Sequence, residues 1–149
     1  MENVKKINDE LTVAGQVTPE QLKQAAHEGF KSVLNLRAPD EKGFLSDEQQ
    51  QAEAAGLCYV NIPVKLEEIS DELIHEVLRQ IDKLPKPALV HCASAMRAVV
   101  ITLMNIAIWQ GMTPQQAFEK AAEIGFDLNA QPQIKQLFDR YVSEYLKAT

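Results

Sequence analysis

Hydrophobic positions along this chain follow two alternating periods. Short apolar runs bounded by polar turns predict strands, and the stretches between them repeat apolar residues every three to four positions, as amphipathic helices do. The predicted strands are Leu11–Ala14, preceded by a short hairpin segment at Ile7, and then Lys31–Arg37, Cys58–Val64 and Ala88–His91. Since strands alternate with helices before helices alone follow, we predict an α/β fold. Its central, mostly parallel sheet has four to five strands and helices on both faces.

Recurring polar residues mark where the predicted helices begin. Thr18 and Thr113 each precede a proline and stand three residues before a glutamine, which is the pattern of a capping box. A similar signal at Ser46 predicts a second helix directly after it, and Ser70 is the predicted N-cap of the third. A final amphipathic helix is predicted over Ile134–Leu146.

Length and composition indicate one domain over residues 1–149. The chain is 46% hydrophobic and 24% charged, with a formal net charge of -6 and no basic run, which disfavours nucleic acid as a partner. The longest apolar run, Ala98–Trp109, is too short to span a membrane. No secretory signal is visible, and two cysteines without a disulfide framework favour a reducing compartment such as the cytoplasm.

Several residues receive structural interpretations. Cys58 and Trp109 are predicted to lie in the core. His27 and His75 have no partner at metal-ligand spacing, so neither a metal site nor another cofactor is expected.

The end of the fourth predicted strand carries the most specific chemistry in the chain. The apolar run Ala88–His91 leads directly to Cys92, and Arg97 follows after four small or unhindered residues. A cysteine at a helix N-terminus is stabilised as the thiolate by the helix dipole and by nearby cations. Because ligands of parallel sheets bind beyond the carboxyl ends of the strands, this segment is the predicted functional site.

The residues after Cys92 are also suited to holding an anion. Backbone N–H groups in such a turn form a nest for oxyanions, and an arginine guanidinium offers a planar fork of donors. The predicted anion-binding residues are Ala93, Ser94, Ala95, Met96 and Arg97. One loop can therefore activate a nucleophile and hold the group that it attacks.

At these residues the chain resembles the cysteine-dependent phosphatases of the dual-specificity and tyrosine-phosphatase type. It is most similar to a small bacterial phosphatase-like family that also occurs fused to metallo-β-lactamase-like hydrolases. The similarity covers almost the whole chain and includes Gly29–Leu36, Leu89–Cys92 and Met112–Ala117. The resemblance implies that Cys92 is the nucleophile and forms a thiophosphate. It also implies that Arg97 binds the phosphoryl oxygens, that His91 tunes the thiolate and that Asn129 supports the loop.

Three features of the loop differ from typical protein-tyrosine phosphatases. Four residues rather than five separate Cys92 from Arg97. The small bacterial family shares this spacing, which also matches the six-residue loop of rhodanese-like sulfurtransferases. Ala95 stands where a glycine is usual, so its Cβ predicts strain if φ is positive there. Ala98 replaces a Ser or Thr that assists hydrolysis of the thiophosphate.

A general acid is less clearly marked than the nucleophile. The phosphatase fold places an Asp after the third strand, where this chain has Lys65 followed by Glu67 and Glu68. Glu67 and, from the loop after the second strand, Asp40 are the candidate acids, while Lys65 is predicted to add positive charge at the mouth of the site.

These features predict a cysteine-dependent phosphatase that acts on a phosphomonoester, either an anionic small molecule or a phosphoprotein. Two alternatives use the same loop. In one, Cys92 accepts a sulfane sulfur, as in a sulfurtransferase or persulfide carrier, and no general acid is needed. In the other, the loop only binds phosphate or a phosphorylated partner.

Overall fold

The structure, a computed structural model, describes residues 4–148, with side-chain surroundings up to residue 144. The strands are β1 (Lys5–Lys6), β2 (Leu11–Ala14), β3 (Ser32–Asn35), β4 (Cys58–Asn61) and β5 (Ala88–His91). The helices are α1 (Pro19–His27), α2 (Glu48–Ala54), α3 (Asp71–Lys83), α4 (Met96–Gln110), α5 (Pro114–Glu123) and α6 (Pro132–Ala148), with a 3₁₀ turn at Leu128–Ala130.

The strands form one five-stranded sheet in the order β1-β2-β5-β3-β4, which confirms the predicted α/β architecture. All neighbouring pairs are parallel except β1 with β2. The strand that leads to Cys92 is central, with His91 in register with Ala14 on one side and Asn35 on the other. The segments after β2, β3 and β5 therefore leave the same edge of the sheet close together.

Alternation along the strands divides the core into two layers. Val33 and Leu89 point to the layer covered by α1 and α2, whereas Leu34 and Val90 belong to the larger layer beneath the later helices. Every residue of α4 from 98 to 107 is buried, so this helix is fixed against the sheet and its N-terminus lies beside the end of β5.

The predicted helix starts are confirmed with one exception. Thr18 and Thr113 form capping boxes, and the Ser70 hydroxyl accepts a hydrogen bond from the N–H of Leu73. The helix predicted after Ser46 is present as α2, but the predicted capping signal is wrong, because the N-cap is Asp47 and its side chain makes no capping bond. Glu48 instead turns into the protein, as described below. The last predicted helix is present, and its end at Tyr145 and Leu146 lies outside the described side chains.

Two core predictions are wrong. Cys58 is exposed because β4 forms an edge of the sheet, and Trp109 is 70% exposed because it lies in the last turn of α4, beyond the buried stretch. The Trp109 indole N–H donates a hydrogen bond of 2.8 Å to Asp82, which holds the ring at the surface. Within residues 4–148, no helix combines the length and apolarity needed to cross a membrane.

Candidate active site

The loop from Cys92 to Arg97 connects the central strand to the N-terminus of the buried helix. The backbone N–H of Cys92 donates to the carbonyl of Ala14 at 3.2 Å, and the carbonyl of Ala93 accepts from the N–H of Gln16 at 3.1 Å. These contacts connect the loop to the last residue of β2 and to the segment that follows it. Cys92 is a buried free thiol in the larger core layer.

Ala95 has the conformation that a glycine would adopt with less strain. Its φ is +78° and its ψ is -17°, in the left-handed region, and its side chain is fully buried. An L-residue in this conformation costs on the order of 1–2 kcal/mol, so the expected strain is present. Ala95 is also the N-cap of α4 and offers no side-chain acceptor. The first N–H groups of this helix are therefore not capped by that residue.

Arg97 is held at the loop by a carboxylate that the sequence did not single out. Its two terminal nitrogens donate to the two oxygens of Glu41 at 2.7 and 2.9 Å, and Nη1 also donates to the carbonyl of Val64 at 3.1 Å. The hydrogen bonds and charge of Glu41, together with the charge and hydrogen bond of Cys92, raise the pKa of Arg97 despite its partial burial. The guanidinium is thus permanently charged and fixed in orientation beside the thiol.

Glu41 is itself fixed by groups on its own segment. Its carboxylate accepts from the N–H of Ala38 at 2.7 Å and from Nε of Arg37 at 3.2 Å. The hydrogen bond from Arg97 and these additional donors outweigh burial and lower the pKa of Glu41 to about 2. Glu41 is therefore ionised at neutral pH and has no proton to give to a leaving group. Gly43, at a φ of +91°, lets the loop close over the Arg37 guanidinium without a Cβ in the way.

The low pKa of Glu41 makes stability depend on pH in the acid range. Its value in the folded chain, about 2, lies below the ordinary 4.5, so the Glu41–Arg97 pair stabilises the fold above pH 4.5 and loses this contribution as pH falls toward 2. We expect Glu41→Gln to be less stable than the parent by about 1–2 kcal/mol at pH 6. The difference should decrease as pH falls below 4.5 and approach zero only below pH 2. Urea unfolding at several pH values measures it, and a difference that stays constant with pH would contradict the assignment.

An open cavity of about 440 Å³ adjoins Arg97 and Glu41. Its other wall is the segment after β4, and Lys65 and Glu67 both line it together with Arg97. Asp40 lies in the loop after β3, where it is exposed and does not line the cavity. It directly precedes Glu41, the residue that pairs with Arg97. Asn129 is exposed, and no side-chain hydrogen bond found among the described residues joins it to the loop.

His91 is buried and hydrogen-bonded on the opposite face of the sheet from Cys92. Its Nε2 lies 2.7 Å from a carboxylate oxygen of Glu48, and its Nδ1 lies 3.4 Å from the carbonyl oxygen of Cys92. Glu48 sits in the first turn of α2 and occupies the helix face that carries the buried Ala52 four residues later. That spacing, a carboxylate in line with apolar positions, is the sequence signal that could have revealed it.

Four residues that build the site were not identified from the sequence: Gln16, Arg37, Glu41 and Glu48. Gln16, Arg37 and Glu41 lie in the segments after strands, Glu48 lies in the first turn of α2, and all four are far along the chain from Cys92. In the described part of the chain, no group of three or more His, Cys, Asp or Glu side chains is arranged to hold a metal ion.

An α/β sheet whose central strand ends in a Cys-x4-Arg loop at a helix N-terminus defines a phosphatase-like domain. The chain belongs to the family described as "Beta-lactamase hydrolase-like protein, phosphatase-like domain", whose model matches residues 3–109. It is 31% identical over 126 residues to the beta-lactamase hydrolase-like protein of Xylella fastidiosa (strain Temecula1), covering 82% of this chain but only 29% of that protein.

Two solved structures show the same fold. A candidate phosphatase from Shewanella putrefaciens CN-32 superposes with a TM-score of 0.81 at 23% identity, covering 97% of this chain and 91% of that one. TpbA of P. aeruginosa, a cysteine-to-serine variant in complex with phosphotyrosine, superposes with a TM-score of 0.79 at 16% identity, covering 98% and 89%. The resemblance to the small bacterial phosphatase-like family is thereby confirmed.

Proposed function

We propose that this chain is a cysteine-dependent phosphatase that cleaves phosphomonoesters through a thiophosphate on Cys92. The observation that carries the proposal is the pairing of Arg97 with Glu41 beside the thiol. A guanidinium has two forks of donors. Glu41 occupies the fork formed by the two Nη atoms, and the fork formed by Nε and Nη2 is assigned to two phosphoryl oxygens. The N–H groups of residues 93–96 hold the same anion.

The proposed reaction has two steps. The Cys92 thiolate attacks phosphorus, a bond forms between Sγ and phosphorus, and the bond to the ester oxygen breaks, with its electron pair leaving on the alcohol oxygen. Water then attacks the thiophosphate, the sulfur–phosphorus bond breaks, and phosphate leaves while the thiolate is restored. Arg97 and the loop amides stabilise the charge on the equatorial oxygens in both steps.

The alcohol that leaves needs a proton unless it is a good leaving group. We assign this proton to Glu67, because Glu67 lines the cavity beside Arg97 whereas Asp40 lies outside that wall. Glu41 is too acidic to serve. Lys65 lines the same cavity and adds positive charge that attracts an anionic substrate to a chain of net charge -6.

Sulfur transfer is the second candidate function, and the four-residue spacing between Cys92 and Arg97 favours it. In that reaction the thiolate attacks the outer sulfur of thiosulfate, the sulfur–sulfur bond breaks, sulfite leaves and a persulfide forms on Cys92. Cyanide then takes the outer sulfur as thiocyanate. No acid is required, because sulfite is a stable leaving group.

We further propose that the substrate is an anionic small molecule or a phosphoprotein and that the protein works in a reducing compartment such as the cytoplasm. The second proposal is supported by two cysteines that are free, one of them exposed. We also propose that residues 1–149 form one domain, supported by two core layers that share a single sheet.

Two assays on the unmodified protein separate the candidate functions. One measures phosphate released from an aryl phosphate, and the other measures thiocyanate formed from thiosulfate and cyanide. Phosphate release supports the proposed function, whereas thiocyanate formation without phosphate release overturns it in favour of sulfur transfer. If neither product forms but inorganic phosphate raises the melting temperature, the loop is a binding module only, because a ligand that binds the folded state stabilises it.

A further inference from the structure

Trp109, the only tryptophan in the chain, is an exposed aromatic side chain that is held in a fixed position. Its indole N–H donates to Oδ1 of Asp82 at 2.8 Å, and the same oxygen accepts from Nδ2 of Asn105 at 3.0 Å. Asn105 lies one turn earlier on α4. Because these hydrogen bonds already orient the ring, little conformational entropy is lost when another molecule covers it.

Two open cavities adjoin the indole ring. One, of about 290 Å³, lies between α3, α4 and α6, and the other, of about 300 Å³, extends from α4 to the turn between β1 and β2, where Glu10 lines it. Trp109, Asp82 and Asn105 line both cavities. We call the area formed by Glu10, Asp82, Asn105 and Trp109 the Trp109 surface. It lies near the C-terminal end of α4, about 20 Å along the helix from the loop that holds Cys92.

The charged groups around the Trp109 surface leave two carboxylates without a cation. Arg79 lines the first cavity, but it pairs with Glu76 at 2.9 Å. Lys86 lines the second, but its Nζ donates to main-chain carbonyls at the C-terminal end of α3. Among the side chains of residues 4–144, no ion pair involves Asp82 or Glu10. The surface therefore carries a local negative charge on either side of an aromatic ring.

An exposed indole beside carboxylates is suited to binding an organic cation. The face of a tryptophan ring attracts a positive charge more strongly than the other aromatic side chains do. A guanidinium fits better than an ammonium, because its plane stacks on the ring while its N–H groups donate to a neighbouring carboxylate. The two cavities together are larger than one guanidinium requires, and they offer a carboxylate in each. A chain segment with more than one arginine matches this extent.

We propose that the Trp109 surface is a docking site for an arginine-bearing segment of a partner protein. One guanidinium stacks on Trp109 and donates to Asp82, and a second reaches Glu10 across the adjoining cavity. Tryptophan and arginine are the side chains that most often dominate the binding energy of protein interfaces. The net charge of -6 attracts a basic segment to this chain. The Trp109 surface shares no residue with the candidate active site, so the proposal does not depend on the proposed function.

The test uses Trp109 as a fluorescent reporter in the unmodified protein, which has no other tryptophan. The protein is titrated with a blocked pentapeptide that alternates arginine with glycine, with the corresponding glutamate peptide, and with agmatine, a free guanidinium compound. We expect a saturable change in emission with the arginine peptide and none with the glutamate peptide. Agmatine should need at least about a tenfold higher concentration, because it carries one guanidinium and no peptide backbone.

Two results of these titrations would contradict the proposal. The first is no saturable response to the arginine peptide. The second is half-saturation by agmatine at the same concentration as the peptide, which would assign the surface to a small free cation. Because the titration needs no turnover, it is independent of whether the protein releases phosphate.

Asp82→Asn tests the charge while keeping an acceptor for the indole N–H. We expect the Kd for the arginine peptide to rise about five- to tenfold. Glu53→Gln is the matched control, since Glu53 is exposed on α2, which packs on the other core layer, and the substitution removes the same formal charge. Its Kd should equal that of the parent. Equal weakening in the two variants would indicate attraction to the overall negative charge and overturn the proposal.

Trp109→Ala tests the ring itself, with isothermal titration calorimetry replacing fluorescence. The side chain is exposed, so its removal leaves the core intact, and both carboxylates remain. We expect the Kd for the arginine peptide to rise at least about tenfold. An unchanged Kd in Trp109→Ala would overturn the proposal even if Asp82→Asn alters the position of the ring.

Discussion

Replacing Cys92 with serine is expected to abolish phosphate release from an aryl phosphate, by a factor on the order of 10⁴ or more. The hydroxyl of serine is far less acidic than a thiol, so the helix N-terminus and Arg97 do not convert it into an anion at neutral pH. The substitution preserves the shape of a fully buried side chain. The anion cradle should remain, so inorganic phosphate should still raise the melting temperature of the variant.

Cys58→Ser provides the matched control for this experiment. Cys58 is the second free cysteine, and it is exposed at the edge strand β4, away from the loop. It should keep the activity and the stability of the parent. Activity that survives in Cys92→Ser would rule out a covalent thiophosphate on this residue, and equal losses in the two variants would indicate a general effect of removing a thiol.

Replacing Arg97 with lysine should lower kcat/KM for an aryl phosphate by about 10²–10³-fold while the charge is conserved. The lysine ammonium is a single point of positive charge. It lacks the two separate pairs of N–H donors with which a guanidinium can bind Glu41 on one side and the phosphoryl oxygens on another. The shorter, flexible head group also loses the contact with the carbonyl of Val64. The increase in melting temperature on adding phosphate should become much smaller than in the parent.

A second arginine tests whether this loss is specific to the site. Arg79 pairs with Glu76 at 2.9 Å on the exposed surface of α3, where a lysine can replace it at little cost. Arg79→Lys should therefore keep parental kcat/KM and phosphate binding. If Arg97→Lys behaved in the same way, the fork geometry would not matter, and Arg97 would act only as a distributed positive charge.

The backbone conformation of Ala95 is imposed by tertiary contacts and not by the local sequence. Alanine has no intrinsic preference for a φ of +78°, and the sequence around it does not dictate that value. Two constraints on either side of Ala95 impose the conformation. The backbone of Cys92 and Ala93 is hydrogen-bonded to Ala14 and Gln16, and α4 is buried from residue 98 to residue 107. Its cost is offset by burial of the rest of α4.

The largest gap between prediction and structure concerns the carboxylates. The sequence predicts Asp40 and Glu67 as the candidate general acids, because they stand at loop positions where an acid is expected. The structure instead brings Glu41 onto Arg97 and Glu48 onto His91. The pattern at Ser46 predicts a capped helix start, but Glu48, in the first turn, is directed inward and α2 begins without a side-chain cap. Capping and burial compete for the same residue types, and only the packing of α2 against the sheet decides between them.

The sequence alone determined the elements, the parallel sheet and the place of the thiol, because these follow from local periodicity, from capping chemistry and from the rule that parallel strands present their carboxyl ends at one edge. Cys92 and Arg97, the site residues that the sequence predicts, are close neighbours along the chain, so their joint placement in one loop is also a local feature. Only the tertiary structure decided which charges face one another. Gln16, Arg37, Glu41 and Glu48 come from segments after different strands, and they meet because the strand order places β2 and β3 on either side of β5. Partners in a buried charge network are chosen by distance in space, which local sequence does not encode.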